Sequence, residues 1–278
     1  MVYSGDDHYA VRWLAYVMKF SRSQSININS STMAINDSPL GSPIITKAVK
    51  GLLAHDDSDA LVYLQVTVKK PLANSKQFTP RLIPLKHRVK KASQFITCLI
   101  VRDPHVPYKQ VLEDPDSSTH KVFEEIVGVK KLKSKLASKK TMKEFENTYD
   151  LVLVEHEVAK FLPQFLPKSF YRSGKLFPIP IEVGKRRGVH DKRSVDPDLV
   201  KAEIKRVTKC GVMAIVPGTC LSVCVGRTDM EDYMLKENIE FAIDFITNKV
   251  ISKGWGNICM FHIKTPHSVA LPVFQATE

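Results

Sequence analysis

Four groups able to make polar contacts fall within five residues near the end of the chain: Lys264, Thr265, His267 and Ser268 in Lys264-Thr265-Pro266-His267-Ser268. A cation, two hydroxyls and an imidazole in a short loop between apolar runs suit recognition of a phosphate backbone. The cation would meet phosphate, and the hydroxyls would meet ribose or base edges. A second basic set flanks two β-branched runs, with Lys69 and Lys70 closing one and Arg81, Lys86, His87 and Arg88 bracketing the other. Together with Lys264, Thr265, His267 and Ser268 these are the candidate RNA-binding residues. Lys69, Lys70, Arg88 and Lys264 are assigned to phosphates. Ordinary turn chemistry would explain the same loop without a ligand.

A third feature is VKKLKSKLASKKTMK, where Lys130, Lys131, Lys133, Lys135, Lys139, Lys140 and Lys143 occur with no acidic residue between them. On one continuous helix Lys131, Lys135 and Lys139 share a face, and like charges so spaced cost a few tenths of a kcal/mol per pair. A polyanion would reverse that penalty, and a solvated helix face accounts for the run equally well. The segment is therefore a secondary basic surface.

Enzyme signatures fail one by one. No G-x-G-x-x-G, G-x-x-x-x-G-K-[ST] or G-x-S-x-G is present, so neither a phosphate cradle nor a nucleophile elbow is encoded. His156-Glu157-Val158-Ala159-Lys160 begins like a zinc-protease helix but has lysine where the second histidine belongs. Asp150, Glu155 and Glu157 lie near one strand end, where charges at a helix entry are the plainer reading. The expectation is a non-enzymatic protein with no catalytic residues, no metal and no cofactor. A Rossmann-like enzyme is the rival, with a nucleotide pocket beyond Phe95–Val101 and Asp150–Val154.

The elements that must position these groups follow from patterning. The chain has 278 residues, a net charge of +12 and a pI near 9.4, enough for two cores and biased towards an anionic partner. Five cysteines (98, 210, 220, 224 and 259) are odd in number and sit mostly in apolar runs, which predicts reduced, buried thiols. Cys220 and Cys224 have no second metal-binding pair nearby. Residues 1–32 read as a disordered tail or gene-model extension, with the functional protein beginning near Met33.

A helix is expected over 42–55, with strands over 60–70 and 81–86 and Pro84 marking an edge. FITCLIV (95–101) and DLVLV (150–154) read as strands covered on both faces. Helices are expected near 118–128 and 141–147, from Val158 with Phe161, Leu162 and Phe165 inward, over 199–210 and over 229–251. MAIVP (213–217), CLSVCVG (220–226), Ile258–Ile263 and Val269–Phe274 complete the strands. Ile258–Ile263 is expected to be central, apolar on both faces and paired with residues 60–70.

In this order the segments resemble the ribosomal protein L-one domain family, closest to its eukaryotic ribosome-biogenesis branch. The resemblance spans about Ile44 to Phe274 and rests on Arg81-Leu82-Ile83-Pro84-Leu85-Lys86-His87, the strand Phe95 to Val101 followed by Arg102-Asp103-Pro104, and Tyr149-Asp150-Leu151-Val152-Leu153. Phe161-Leu162-Pro163, Phe170-Tyr171, Val225-Gly226, Glu237-Asn238-Ile239 and Leu271-Pro272 continue it. Ribosomal members carry Thr-Met-Gly-Pro-Ser where only Ser268 matches, whereas the Lys-Thr-x-x-Ser of the biogenesis branch is met by Lys264, Thr265 and Ser268.

The resemblance implies α/β plus α+β architecture. A discontinuous, split α+β domain I (33–93 and 181–278) would bind RNA, and a Rossmann-like three-layer α/β domain II (94–180) would be inserted in it. It further implies a nucleolar protein that binds rRNA or pre-rRNA in small-subunit processome assembly. Such a protein would work with pre-ribosomal assembly proteins, as a monomer within a large ribonucleoprotein, with no membrane and no small-molecule substrate. A mature large-subunit stalk-type protein and a protein–protein adaptor in pre-ribosomes are the alternatives.

Overall fold

The run Leu61–Val68 alternates in its burial as in its sequence. Val62, Leu64, Val66 and Val68 are buried, while Leu61, Tyr63, Gln65 and Thr67 stay half-exposed. A strand with that pattern lies between a core and a face that is not closed. In the computed structural model, which describes residues 42–55, 60–74, 80–166, 177–185 and 194–276, this strand is β1 and follows helix α1 (Ser42–His55). Strand β2 (Arg81–Pro84), β3 (Thr97–Val101), helix α2 (Val106–Leu112) and β4 (Glu125–Gly128) come next. Then follow α3 (Val129–Lys135), α4 (Lys139–Thr148), β5 (Leu151–Glu155) and the short helices α5 (His156–Ala159) and α6 (Leu162–Phe165). The remainder comprises β6 (Ile179–Ile181), β7 (Gly184–Lys185), β8 (Ser194–Val195), α7 (Pro197–Val207), β9 (Cys210–Met213), β10 (Cys220–Arg227), α8 (Asp232–Phe245), β11 (Ile258–Lys264) and β12 (Leu271–Gln275). The reading of residues 1–32 lies outside the described residues.

Six strands form an antiparallel sheet in the order β12-β11-β1-β10-β9-β2, drawn from both ends of the chain. One face packs on α1 and α8. Ile45, Val49 and Leu52 meet Leu235, Ile239 and Ile243 over Leu64, Val223, Phe261 and Ile263 in a single core. β2 is an edge strand, as Pro84 requires, since a ring without an N–H cannot serve a central ladder.

The second sheet is parallel, β4-β3-β5-β6, and Cys98, Leu99, Ile100 and Val101 are fully buried. Cys98, Ile100, Val152 and Val154 face Leu132, Phe145 and Leu162 on one side. Leu99, Val101 and Leu153 face Leu112, Val200 and Ile204 on the other, so α7 packs on this sheet, with Leu82 and Val212 of the antiparallel sheet reaching the same core.

Several expectations fail for identifiable reasons. Residues 118–128 are not a helix: Ile126 and Val127 pair with Leu99 and Ile100 in parallel register, a use of two β-branched residues that a helix would waste. MAIVP is replaced by β9, three residues earlier, and α8 stops at Phe245 before a π-helical turn, Ile246–Val250. The lysine run is two helices, because Ser138 caps the second by accepting the Thr141 N–H. Lys131 and Lys135 therefore stay together on α3, while Lys139 opens the next helix. Phe161 is 55% exposed between α5 and α6, not turned inward. β11 is central and pairs with β1, but only Ile258, Phe261 and Ile263 are buried, while Cys259, Met260, His262 and Lys264 are half-exposed. The thiols are free, yet Cys220 is exposed and only Cys98 is buried.

Candidate nucleic-acid interface

Strand direction decides which basic residues meet. Tyr63 stands opposite Lys264 and Thr67 opposite Met260, so the loop after β11 lies where β1 begins. Lys69 and Lys70 lie at the other end of β1, about 20 Å away at ~3.3 Å per residue. There the Lys69 N–H donates to Asn257 O (2.8 Å), and the Lys70 N–H donates to Asn257 Oδ1 (2.8 Å). Lys69 and Lys70, grouped by sequence with Lys264 in one RNA-binding set, are therefore not beside it. Arg81 opens the edge strand β2, opposite Met213 and midway between those two ends. β2 runs antiparallel to β9 and β9 to β10, which carries Lys86, His87 and Arg88 to the same end as Arg227 and Lys264.

His87 is fixed there by buried Asn238, whose Oδ1 accepts the His87 N–H (2.8 Å) while Nδ2 donates to His87 O (2.9 Å) and Val225 O (2.9 Å). The ring bonds Glu237 through Nε2 (2.8 Å) and meets Tyr233 edge-on. Lys86 Nζ lies 3.9 Å from the same carboxylate. That hydrogen bond from His87, and then the Lys86 charge, hold the Glu237 carboxyl below its ordinary value. Lys86 and His87 thus face an internal anion, whereas the Arg88 side chain is exposed.

The loop hydroxyls are not aimed outward. Thr265 is fully buried, and Ser268 Oγ accepts the Thr265 N–H (2.9 Å) while Thr265 Oγ1 accepts the Ser268 N–H (3.1 Å). Ser268 Oγ also donates to Val269 O (3.0 Å). These two residues brace the turn, and Pro266 and His267 form its exposed tip. Changing both to alanine removes reciprocal bonds at a buried position. The double variant should lose about 1–3 kcal/mol of stability in denaturant titration, not melt normally as their loop position alone predicts. An unchanged midpoint would show the brace to be dispensable.

Between the two ends lies a surface the linear reading missed. On the half-exposed face of the antiparallel sheet, Cys224, Tyr63 and Lys264 form one row across three strands. Ser222, Gln65 and His262 form the next, and Cys220, Thr67 and Met260 the third. Burial, and then the neighbouring Cys224, pushes the Tyr63 phenol up, and burial pushes the Cys224 thiol to about 11. Both therefore stay neutral at physiological pH, and the rows present hydroxyl, amide and imidazole beside a cation. The polar alternation Tyr63, Gln65, Thr67 was the available signal.

The secondary basic surface is only partly outward. Lys135 Nζ lies 2.6 Å and Lys131 Nζ 4.0 Å from Glu125. Burial pushes the Glu125 carboxyl up, but the Lys135 and Tyr149 hydrogen bonds and both lysine charges outweigh it and hold the carboxyl low. Lys130, Lys133, Lys139, Lys140 and Lys143 are exposed. The three carboxylates near β5 do not assemble a site. Asp150 accepts the Ile96 N–H, whereas Glu155 is buried and accepts from Arg102 Nη2 (2.7 Å), the Arg102 N–H and the Tyr108 hydroxyl. Glu157 pairs with Arg102 at 3.4 Å.

Residues 46–269 match the model of the Ribosomal protein L1p/L10e family. The chain is 28% identical over 256 residues to the Saccharomyces cerevisiae ribosome biogenesis protein UTP30, covering 85% of this chain and 91% of that protein. A Schizosaccharomyces pombe protein provisionally named for ribosome biogenesis, C8F11.04, is 28% identical over 235 residues, and the chain spans only 59% of its length. The large ribosomal subunit protein uL1 of Oryza sativa subsp. japonica is 24% identical over 180 residues, 63% of this chain and 76% of that one. The family match covers both the parallel sheet and most of the antiparallel one, including Lys264 to Ser268, and so the chain belongs to the ribosomal protein L1p/L10e family.

Proposed function

We propose that the chain is a non-enzymatic protein of ribosome biogenesis that binds rRNA or pre-rRNA in small-subunit processome assembly. On this reading it works in the nucleolus, as a single copy within a large ribonucleoprotein and beside other assembly proteins. The observation that carries the reading is the half-exposed sheet face. Its rows Tyr63–Lys264 and Gln65–His262 offer a ring and polar groups to unpaired bases, and Arg88 and Lys264 lie at the end where a backbone would pass. The name of the relative UTP30 supports a biogenesis role, and a net charge of +12 supports a polyanionic partner.

We read the antiparallel sheet as a discontinuous domain I (33–93 and 181–278) and the parallel sheet as an inserted Rossmann-like domain II (94–180). Helix α7 is seated on the inserted sheet by its core. The exposed lysines Lys139, Lys140 and Lys143 of α4 then hold a second RNA segment as mobile point charges.

Binding to rRNA fragments should weaken with salt at a slope of about −0.7 to −0.9 per phosphate neutralised, totalling several contacts. Lys264→Gln should lower that slope by about one contact and weaken all sequences alike. Gln65→Ala with His262→Ala should instead weaken the preferred sequence by about 1–3 kcal/mol at unchanged slope. A flat salt response, or full discrimination in the Gln65 and His262 variant, would remove the open face from the reading.

A further inference from the structure

The parallel sheet carries a cleft that the RNA reading leaves unused. The chain leaves β3 towards β4 and returns to β5 on β3's other side, so its connections part at the carboxyl ends of β3 and β5. A hollow of about 490 Å³ opens there between Val129, Val158 and Phe161, with Lys130 and Lys133 along one side. That volume is in the range of clefts that hold small ligands or anchoring side chains.

In open α/β sheets this is the place where phosphates enter, but here it is taken. Asp103 Oδ2 accepts the Lys130 N–H at 3.0 Å, and a Cβ on Gly128 would collide with the same carboxylate. An incoming phosphate would meet that negative charge. The Arg102 guanidinium is turned onto Glu155 (2.7 Å) and Glu157 (3.4 Å). What remains is an apolar hollow with the Phe161 ring at its mouth and exposed lysines on its rim. A nucleobase buried there would leave ring nitrogens and exocyclic groups without partners, a cost that an apolar side chain does not incur.

We propose that this cleft docks a short acidic segment of a protein partner. One apolar side chain enters between Val129, Val158 and Phe161, and flanking carboxylates meet Lys130 and Lys133. Charge complementarity selects that occupant: α3 exposes Lys130 and Lys133 beside the hollow, and the carboxylates that line it, Asp103 and Glu157, are already engaged within the fold. The proposal is independent of the sheet face proposed to bind RNA, so either can fail alone.

The test uses the full chain and a fluorescein-labelled peptide, Glu-Glu-Leu-Phe-Glu-Glu, with a glutamine-for-glutamate version as control, read by fluorescence polarisation. The acidic peptide should bind about tenfold more tightly than the control. Phe161→Ala should weaken it about tenfold while leaving rRNA-fragment binding unchanged. Lys130→Gln with Lys133→Gln should erase the difference between the two peptides. A photo-crosslinking residue at position 161, in assembled particles, should attach to a protein segment in which carboxylates flank an apolar residue. No peptide binding, equal binding of the control, or crosslinks mapping to RNA or to a second copy of this chain would each overturn the proposal.

Discussion

Asn238→Ala is expected to lower the unfolding free energy by about 2–4 kcal/mol and to weaken RNA binding at the Arg88 end of the sheet. The side chain is fully buried and makes three hydrogen bonds to the backbone of two other segments, the turn at His87 and the strand at Val225. Alanine strands the buried Val225 carbonyl at a cost of about 1–3 kcal/mol, while the part-buried His87 N–H and carbonyl can recover part of their loss from water. It also frees the segment Lys86 to Arg88, whose position rests on this residue and on Glu237. Asn238→Asp separates the bonds. It retains the acceptor for the His87 N–H but loses both donations and adds a buried charge, and so should be at least as damaging. Denaturant titration of both variants measures the effect, and a loss below about 1 kcal/mol would show that water or a rearranged turn replaces the amide.

Glu155→Ala should cost about 2–3 kcal/mol through a different balance. The carboxylate is 1% exposed, whereas its Arg102 partner is 43% exposed by side chain. Breaking a buried pair costs about 3–5 kcal/mol when the surviving charge stays buried, and here part of it can return to water. The Arg102 N–H and the Tyr108 hydroxyl also lose their acceptor. Burial, and then the Glu155 charge, pushes the Tyr108 phenol up, against the Arg102 hydrogen bond that lowers it. A double-mutant cycle with Arg102→Ala should give a coupling of about 1–3 kcal/mol, and additive losses would show that the ion pair contributes nothing of its own.

What the sequence showed of this fold follows what periodicity can report. The uninterrupted apolar runs gave β3 and β5, Pro84 gave an edge, and the stripe Ile44, Ile45, Ala48, Val49 and Leu52 gave α1, although Ile44 itself is exposed. Residues 118–128 misled because Val122, Phe123, Ile126 and Val127 fit a helical stripe, and nothing local reveals that Leu99 and Ile100 await a parallel partner. The site was harder to see. Residue types located the basic segments, but strand direction decides that Arg88 and not Lys69 shares the end with Lys264. Hydroxyls at Thr265 and Ser268 look available until their reciprocal bonds are seen. His262 was read as part of a buried strand because its neighbours are apolar, and only the burial of alternate residues exposes it.

The antiparallel sheet also sets a timetable for synthesis. β1 is made well before its neighbours in the sheet, β10 and β11, with Tyr63 pairing with Cys224 and Lys264. A ribosome adding about 5–20 residues per second leaves β1 without its ladder for on the order of ten seconds. The parallel sheet, by contrast, draws all its strands from residues 97–181 and can pair as it emerges. The nascent protein therefore carries β1 unpaired until β10 has been made, and open along its other edge until Lys264 has been made. The rows of Tyr63 and Gln65 come into being only with β11, so an interrupted chain would present the lysines of α3 and α4 without the sheet face that reads bases.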